Sequence, residues 1–470
     1  MSEHGESRIR DFDVIIVGAG PAGIFAALEL SGASDLDVLL LEKGCNLAER
    51  HCLARDTGRC INCRPCDITS GWGGAGAYSD GKLTLSPRVG GWLGEYISAD
   101  RLSGLIGEVD GLYRRFGAPE EIHGNNPERV EYWKNLALRQ GMRLVESPIR
   151  HMGTDACSGV LERMREELED RVEIRTETPV SRILVEESDT GEKRTVGVET
   201  LEGQKLRSPV VILAPGREGS SWLQGEAERL GLGVTANAVD IGVRVEVPAV
   251  VTNVITDDLY EPKLIYSSPH FEDQVRTFCM NPNGVVSKES YGDVVTVNGH
   301  SYADDARKTP YTNFALLAST RFTEPFKEPV VYGKSIARLA NVLGKDIIVQ
   351  RLGDLRNGRR STVKRMARGT VEPTLTEVTP GDLSFVLPYR HLQDIVDMLE
   401  ALDALLPGLA ARDTLLYGVE VKFYSSRLDL DENLSTEIGG LYAVGDGAGV
   451  TRGLVQASVS GLLAAKAVLG

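Results

Sequence analysis

The sequence is short of positive charge. Against 67 Asp and Glu stand 52 Lys and Arg, which leaves a formal net charge of −15. Gripping phosphates along a nucleic acid needs a compensating basic face, so this balance argues against a nucleic-acid partner. One stretch, "RLGDLRNGRRSTVKRMAR" (351–368), is rich enough in Arg and Lys for a local patch, and a solvated helix or loop face explains it as well. Long hydrophobic runs are also missing. The opening "MSEHGESRIRDFD" is polar and carries no apolar stretch of the kind a secretion signal needs. "LVQASVSGLLAAKAVLG" at the far end is interrupted by Gln456, Ser458, Ser460 and Lys466, so it predicts a buried or half-buried helix rather than a membrane span. A cytoplasmic location with no membrane partner is expected. No internal repeat, HExxH zinc motif or G-x-S-x-G nucleophile elbow occurs. Seven cysteines, an odd number and mostly clustered, read as thiols or metal ligands rather than a disulfide framework.

What is there starts with "FDVIIV" (12–17), an apolar run rich in β-branched residues, as a buried parallel strand requires. Gly18-Ala19-Gly20-Pro21-Ala22-Gly23 follows, and then the helical pattern "IFAALELS". Gly18 suits a tight turn, Gly20 a close approach of backbone N–H groups to a pyrophosphate, and Gly23 the packing of helix on strand. Pro21 costs nothing in the first helical turn. The helix N-terminus offers free donors and the positive end of its dipole to an anion. A second strand, "DVLLLE", ends in Glu42, roughly 20 residues after the turn, where a carboxylate accepts a ribose hydroxyl and repels a 2′-phosphate. The pattern predicts that this end binds a dinucleotide, a glycine turn of packing value only being the alternative.

Two distant segments complete that unit. Residues 207–223, "RSPVVILAPGREGSSWL", give a strand ending at Ala214, Pro215 and Gly216; residues 439–470 give a short strand, Gly445-Asp446-Gly447, and a terminal helix. Here the chain resembles the FAD-dependent oxidoreductases of the glutathione-reductase-like superfamily. The phrases "GWGGAGAYSDGKL", "APGREGSSWL", "QRLGDLRNGRRST", "VKFYSSRLDLDENLST" and "VGDGAGVTRGLVQASVSG" look like a poorly characterised branch of it. The resemblance implies an α/β fold: a Rossmann-like FAD-binding domain built from discontinuous segments, with an inserted mixed α+β substrate domain. It implies that Gly18, Gly20, Pro21, Ala22, Gly23, Glu42 and Lys43 serve the ADP half of FAD and that Val180 meets the adenine. Gly73, Gly74, Ala75 and Lys82, with Ala214, Pro215 and Gly216, belong to the same set. Gly445 and Asp446 would reach the ribityl chain, and Gly453, Leu454 and Val455 would aim a helix N-terminus at the flavin pyrimidine edge.

The expected organisation is 1–83, 171–235 and 439–470 for the FAD-binding domain, with a mainly helical insertion at 84–170. An α+β substrate or cap domain is expected at 236–438, where Tyr266, His270, Tyr291, His300, Tyr302, Tyr389 and Arg390 are candidate pocket residues. No second GxGxxG appears between residues 200 and 440, so NAD(P)H would visit only transiently, or electrons would come from the substrate or a partner protein. The expected activity is oxidation or reduction of an unidentified small molecule by hydride transfer at flavin N5. A flavoprotein electron carrier and an RNA-modifying flavoprotein are the alternatives. Ser79, Asp80, Lys82 and Arg452 are candidate catalytic groups, the first three also explicable as a pinned turn. Cys60-x-x-Cys63-x-x-Cys66 leads straight into the glycine loop. Its spacing suits zinc or an iron–sulfur centre, with Cys52, Cys45 or His51 as a fourth ligand; a redox pair at Cys63 and Cys66, or loop cysteines without chemistry, fit too.

Overall fold

The computed structural model describes residues 10–53, 60–61, 63–302, 305–320, 322 and 328–470. Two compact units emerge. The first comprises 1–120, 154–236 and 425–470, the second 121–153 and 237–424.

The first unit is organised by a five-stranded parallel sheet. Its strands are β1 (Val14–Val17), β2 (Val38–Leu41), β3 (Val172–Arg175), β4 (Val210–Leu213) and β5 (Leu441–Ala443). They lie in the order β5-β4-β1-β2-β3, every neighbouring pair parallel. β1 and β2 are buried along their whole length, which is why they read as unbroken apolar runs. The order reverses between β1 and β4. In open α/β sheets that switch point leaves a crevice at the carboxyl ends of the strands.

The helices of this unit include α1 (Pro21–Ala33), α2 (Ala99–Arg115) and α3 (Leu454–Leu469), and Ser220–Leu230 packs Leu223, Ala227 and Leu230 on the sheet. α1 and α3 are apolar nearly all round, and such helices must be buried on every side. They pack together where Gly461 meets the Ala22 carbonyl, an approach that leaves no space for a Cβ. α2 is amphipathic and is capped by Ser98, whose hydroxyl accepts from the Arg101 N–H at 3.3 Å. It reaches α3 through Tyr113, whose hydroxyl lies 3.1 Å from Ser458 Oγ. A four-stranded sheet, Arg10–Asp11, Lys205–Arg207, Lys193–Thr200 and Val180–Glu187, completes the unit.

The second unit is built on an eight-stranded sheet. From one edge to the other run Thr379–Pro380, Ile348–Arg351, Leu415–Lys422, Val239–Pro248, Tyr311–Thr320, Gln274–Asn281, Lys263–Ser267 and Met142–Val145. Val239–Pro248 alternates valine or isoleucine with polar residues, the pattern of a strand with one face in solvent. Both faces are in fact buried. The polar face is satisfied internally: Arg244 binds Glu420 through Nε–Oε2 at 2.7 Å and Nη2–Oε1 at 2.8 Å, Asp240 pairs with Arg276, and Glu246 accepts from Tyr417 and Thr374. A hairpin, Val285–Tyr291 with Val294–His300, packs against the strands that carry this face.

The division departs from the expected boundaries at two places. Residues 84–170 are not one helical insertion, because Met142–Val145 joins the eight-stranded sheet beside Lys263–Ser267 while α2 packs on α3. Residues 425–438 fall in the first unit, where Arg427–Leu428 pairs with Val234–Thr235.

Candidate cofactor site

The glycine turn after β1 has the geometry its spacing predicts. Gly18 sits at φ +110 with its N–H on the Leu41 carbonyl at 2.7 Å, and a Cβ there would collide with the Ala214 carbonyl oxygen. Gly23 lies so close under the Gly18 carbonyl that no side chain fits. Gly20 is different. It is the N-cap of α1, and a Cβ on it would meet nothing within 4 Å. Gly453, the N-cap of α3, faces open space in the same way.

A second glycine-rich segment packs on these termini. A Cβ on Gly74 would lie 3.0 Å from Gly20 Cα, and one on Gly76 would lie 2.8 Å from Leu454 Cδ2 and 3.3 Å from Pro21 Cγ. Gly445 contributes from a third side, since its Cβ would lie 3.1 Å from that of Ala22. Ala214, Pro215 and Gly216 close the β4 end, and the Gly216 carbonyl fills the place of a Cβ on Gly447. Segments around residues 18–23, 71–76, 214–216 and 445–455 thus converge on the switch point and leave open space beside the N-cap glycines Gly20 and Gly453. That cradle suits an extended anionic ligand such as the pyrophosphate of FAD.

Glu42 is buried, and its carboxylate is occupied by the protein's own backbone. Oε2 accepts from the Ala19 N–H at 2.8 Å, while Oε1 accepts from Gly44 and Gly71, each at 2.9 Å. Lys43 pairs with Glu218, and burial pulls its pKa down. Asp446 accepts from Thr451 Oγ1 at 2.8 Å; burial pushes its carboxyl upward, against the opposing pull of Arg217, Thr451 and Arg452. Val180 pairs with Thr200 in the four-stranded sheet and is half-buried. Val455 is buried in the first turn of α3.

The candidate catalytic groups form a short, locked turn. Ser79 Oγ donates to the Gly76 carbonyl at 2.8 Å and accepts from the Gly81 N–H at 3.2 Å. Lys82 and Asp80 make a 2.9 Å ion pair, with the lysine side chain only 7% exposed. The Arg452 N–H binds the Gly90 carbonyl. Cys60 is exposed, whereas Cys63 and Cys66 are partly buried, and all seven cysteines are free thiols. Among the described residues no group of three or more His, Cys, Asp or Glu side chains is arranged to hold a metal ion, so the trio is not gathered as a ligand set. Burial pushes the Cys63 thiol up, the opposite of what activates a redox thiolate.

In the second unit the aromatic and basic candidates disperse into local pairs. Arg390 binds Asp273, His270 Nδ1 lies 2.8 Å from Asp397 Oδ2, and Tyr389 is 72% exposed. The basic stretch 351–368 is anchored by buried Arg351 and Asp354, with Ser361 Oγ donating to Asp354 at 2.8 Å; Arg359 and Arg360 are exposed. Among the described residues no helix is long and apolar enough to cross a membrane.

One residue had no signal in the sequence. Arg50 lies in a mixed polar stretch, yet its guanidinium is buried against the glycine loop. Nε donates to the Asp67 carbonyl at 2.8 Å and Nη1 to Trp72 at 2.7 Å, while Nη2 donates to both Ile68 and Gly74 at 2.9 Å.

Fold and site define the class, an α/β protein with a Rossmann-like domain. Residues 238–423 match the family described as FAD-dependent protein, C-terminal domain-like. A relative from Clostridium beijerinckii, described as an uncharacterized protein, is 28% identical over 482 aligned positions, 97% of this chain and 80% of the relative. Among solved structures, E. coli quinol fumarate reductase FrdA is similar with a TM-score of 0.41 at 13% identity, over 97% of this chain and 70% of that one. L-proline dehydrogenase from P. horikoshii is similar with a TM-score of 0.41 at 10% identity, over 98% of this chain and 94% of that one. Neither likeness fixes a substrate.

Proposed function

We propose that the protein oxidises or reduces a small molecule with FAD held in the cradle of the first unit. The observation that carries this reading is the convergence of the Gly18–Gly23 turn, the Gly71–Gly76 loop and the Gly453 cap on the switch point of the parallel sheet. The N-terminus of α1 would face the pyrophosphate, with Gly20 leaving room for it. Glu42 would hold the surrounding loops and offer its remaining lone pairs to the ribose. Asp446 and Gly453 would meet the ribityl chain, and the N-terminus of α3 the pyrimidine edge. Bound FAD supplies hydride transfer at N5, the chemistry that no side chain here provides. Lys82, paired with Asp80, and Arg452 would favour negative charge on the ring or fix a substrate carboxylate.

With no second GxGxxG between residues 200 and 440, NAD(P)H would visit only transiently, or electrons would come from a protein donor or the substrate itself. Anaerobic titration of the yellow protein with NADH, NADPH and panels of amino and hydroxy acids, read as bleaching of flavin absorbance, tests the proposal. Stoichiometric bleaching by a small molecule supports it. A protein that purifies without flavin and takes none up would refute it.

A further inference from the structure

Arg50 is a buried cation held by carbonyl oxygens alone. Its side chain donates four hydrogen bonds, to Asp67, Ile68, Trp72 and Gly74, and no carboxylate lies within ion-pair distance of it among the described residues. The residue is 5% exposed. Burying a charge with no carboxylate in direct contact is expensive, and dipoles offset it only in part. Burial accordingly pulls its pKa down, with Tyr78 and Glu42 acting the other way. The Tyr78 ring stacks 4.8 Å from the guanidinium, and the Tyr78 hydroxyl donates back to the Arg50 carbonyl at 2.8 Å.

What the side chain holds is informative. Trp72 and Gly74 belong to the loop that packs on Gly20 and Pro21, and Gly71, Gly73 and Gly74 all sit at positive φ. The same loop is grasped from its other end by a buried anion, because the Gly71 N–H donates to Glu42. The loop therefore hangs between two buried charges, the anion taking an N–H and the cation taking carbonyls. Since a trans peptide is planar, fixing the Gly74 carbonyl on Arg50 also fixes the direction of the Ala75 N–H. A cation this dry, beside a cradle suited to a dianion, is better compensated once that dianion is present.

We propose that Arg50 is the positioning residue of the cofactor site: its guanidinium sets the Gly71–Gly74 loop in the shape that receives the FAD diphosphate and supplies part of the charge that balances it. This rests on the reading of the site as an FAD site. Lysine cannot replace it, because a point charge with three donors does not span four carbonyls laid out for a planar fork.

The test is FAD affinity, measured by quenching of flavin fluorescence, for the wild type, Arg50→Ala and Arg50→Lys, each checked for folding by circular dichroism. Arg50→Ala is expected to weaken FAD at least 100-fold and Arg50→Lys at least 10-fold. Guanidinium chloride at tens of millimolar should restore Arg50→Ala by at least 10-fold where sodium chloride of equal strength does not. A merely structural loss would not respond to the free cation. An Arg50→Ala protein that binds FAD within threefold of wild type, or that guanidinium fails to rescue, overturns the proposal. If Arg50→Ala does not fold, Arg50→Lys decides: affinity within threefold of wild type overturns it, and a 10-fold loss supports it. A wild type that takes up no FAD overturns the reading of the site, and this inference with it.

Discussion

Glu42→Gln separates a carboxylate that merely touches ribose from one that builds the pocket. The carboxylate accepts three backbone N–H groups, from Ala19, Gly44 and Gly71, in a buried setting. Glutamine has one acceptor and one donor. With its oxygen kept toward Gly44 and Gly71, its NH₂ faces the Ala19 N–H, donor against donor. Turned over, it strands two N–H groups instead of one. A buried donor left unpaired costs about 1–3 kcal/mol, and exchanging two charge-assisted bonds for neutral ones costs about 1 kcal/mol each. The total, on the order of 3–5 kcal/mol, is a large part of the stability of an ordinary domain. Urea unfolding, followed by circular dichroism without added FAD and again with FAD in excess, is the assay. The midpoint should fall in both conditions, and FAD affinity should fall with it. If the variant unfolds at the wild-type midpoint without FAD and is weakened only in FAD binding, the carboxylate serves the ligand alone and the reasoning is wrong.

Gly20→Val should fold, since nothing lies within 4 Å of a Cβ there, yet lose FAD, because the branched side chain fills the cradle; a yellow variant with stoichiometric flavin would contradict this. Cys63→Ser with Cys66→Ser should keep flavin turnover within about twofold, because burial keeps the Cys63 thiol protonated; a tenfold loss in stopped-flow reduction would restore a redox role. Asp394→Asn bears on pH. The carboxyl is fully buried, and burial, with Asp273 nearby, pushes its pKa up to about 6 against the opposing pull of Ser268. A raised pKa gives stability that is complete below the ordinary value near 3.8 and is lost as pH rises through about 6, at most about 3 kcal/mol in all. Melting curves between pH 4 and 8 should therefore slope less in the variant than in the wild type, in which the depressed His391 also titrates; parallel curves would refute the assignment.

The Rossmann-like end was legible in consecutive residues, because its signals are local. A turn that needs Gly18 and Gly23 for lack of space, strands buried on both faces, and helices apolar all round each write their requirement into consecutive residues. The rest depended on contacts between segments far apart along the chain. Arg50 gave no sign of itself because its partners are carbonyls, present at every residue, so nothing in the partner sequence marks them. Glu42 was legible as an acid at the right place, but not as the tie between the glycine turn and a loop 29 residues on. The alternation in Val239–Pro248 promised a solvent face, and that face is buried because Glu420, Arg276, Tyr417 and Thr374 arrive from remote segments to neutralise it. Met142–Val145 could not be assigned to the eight-stranded sheet from its own residues, since a strand's partner is chosen by the edge left open to it.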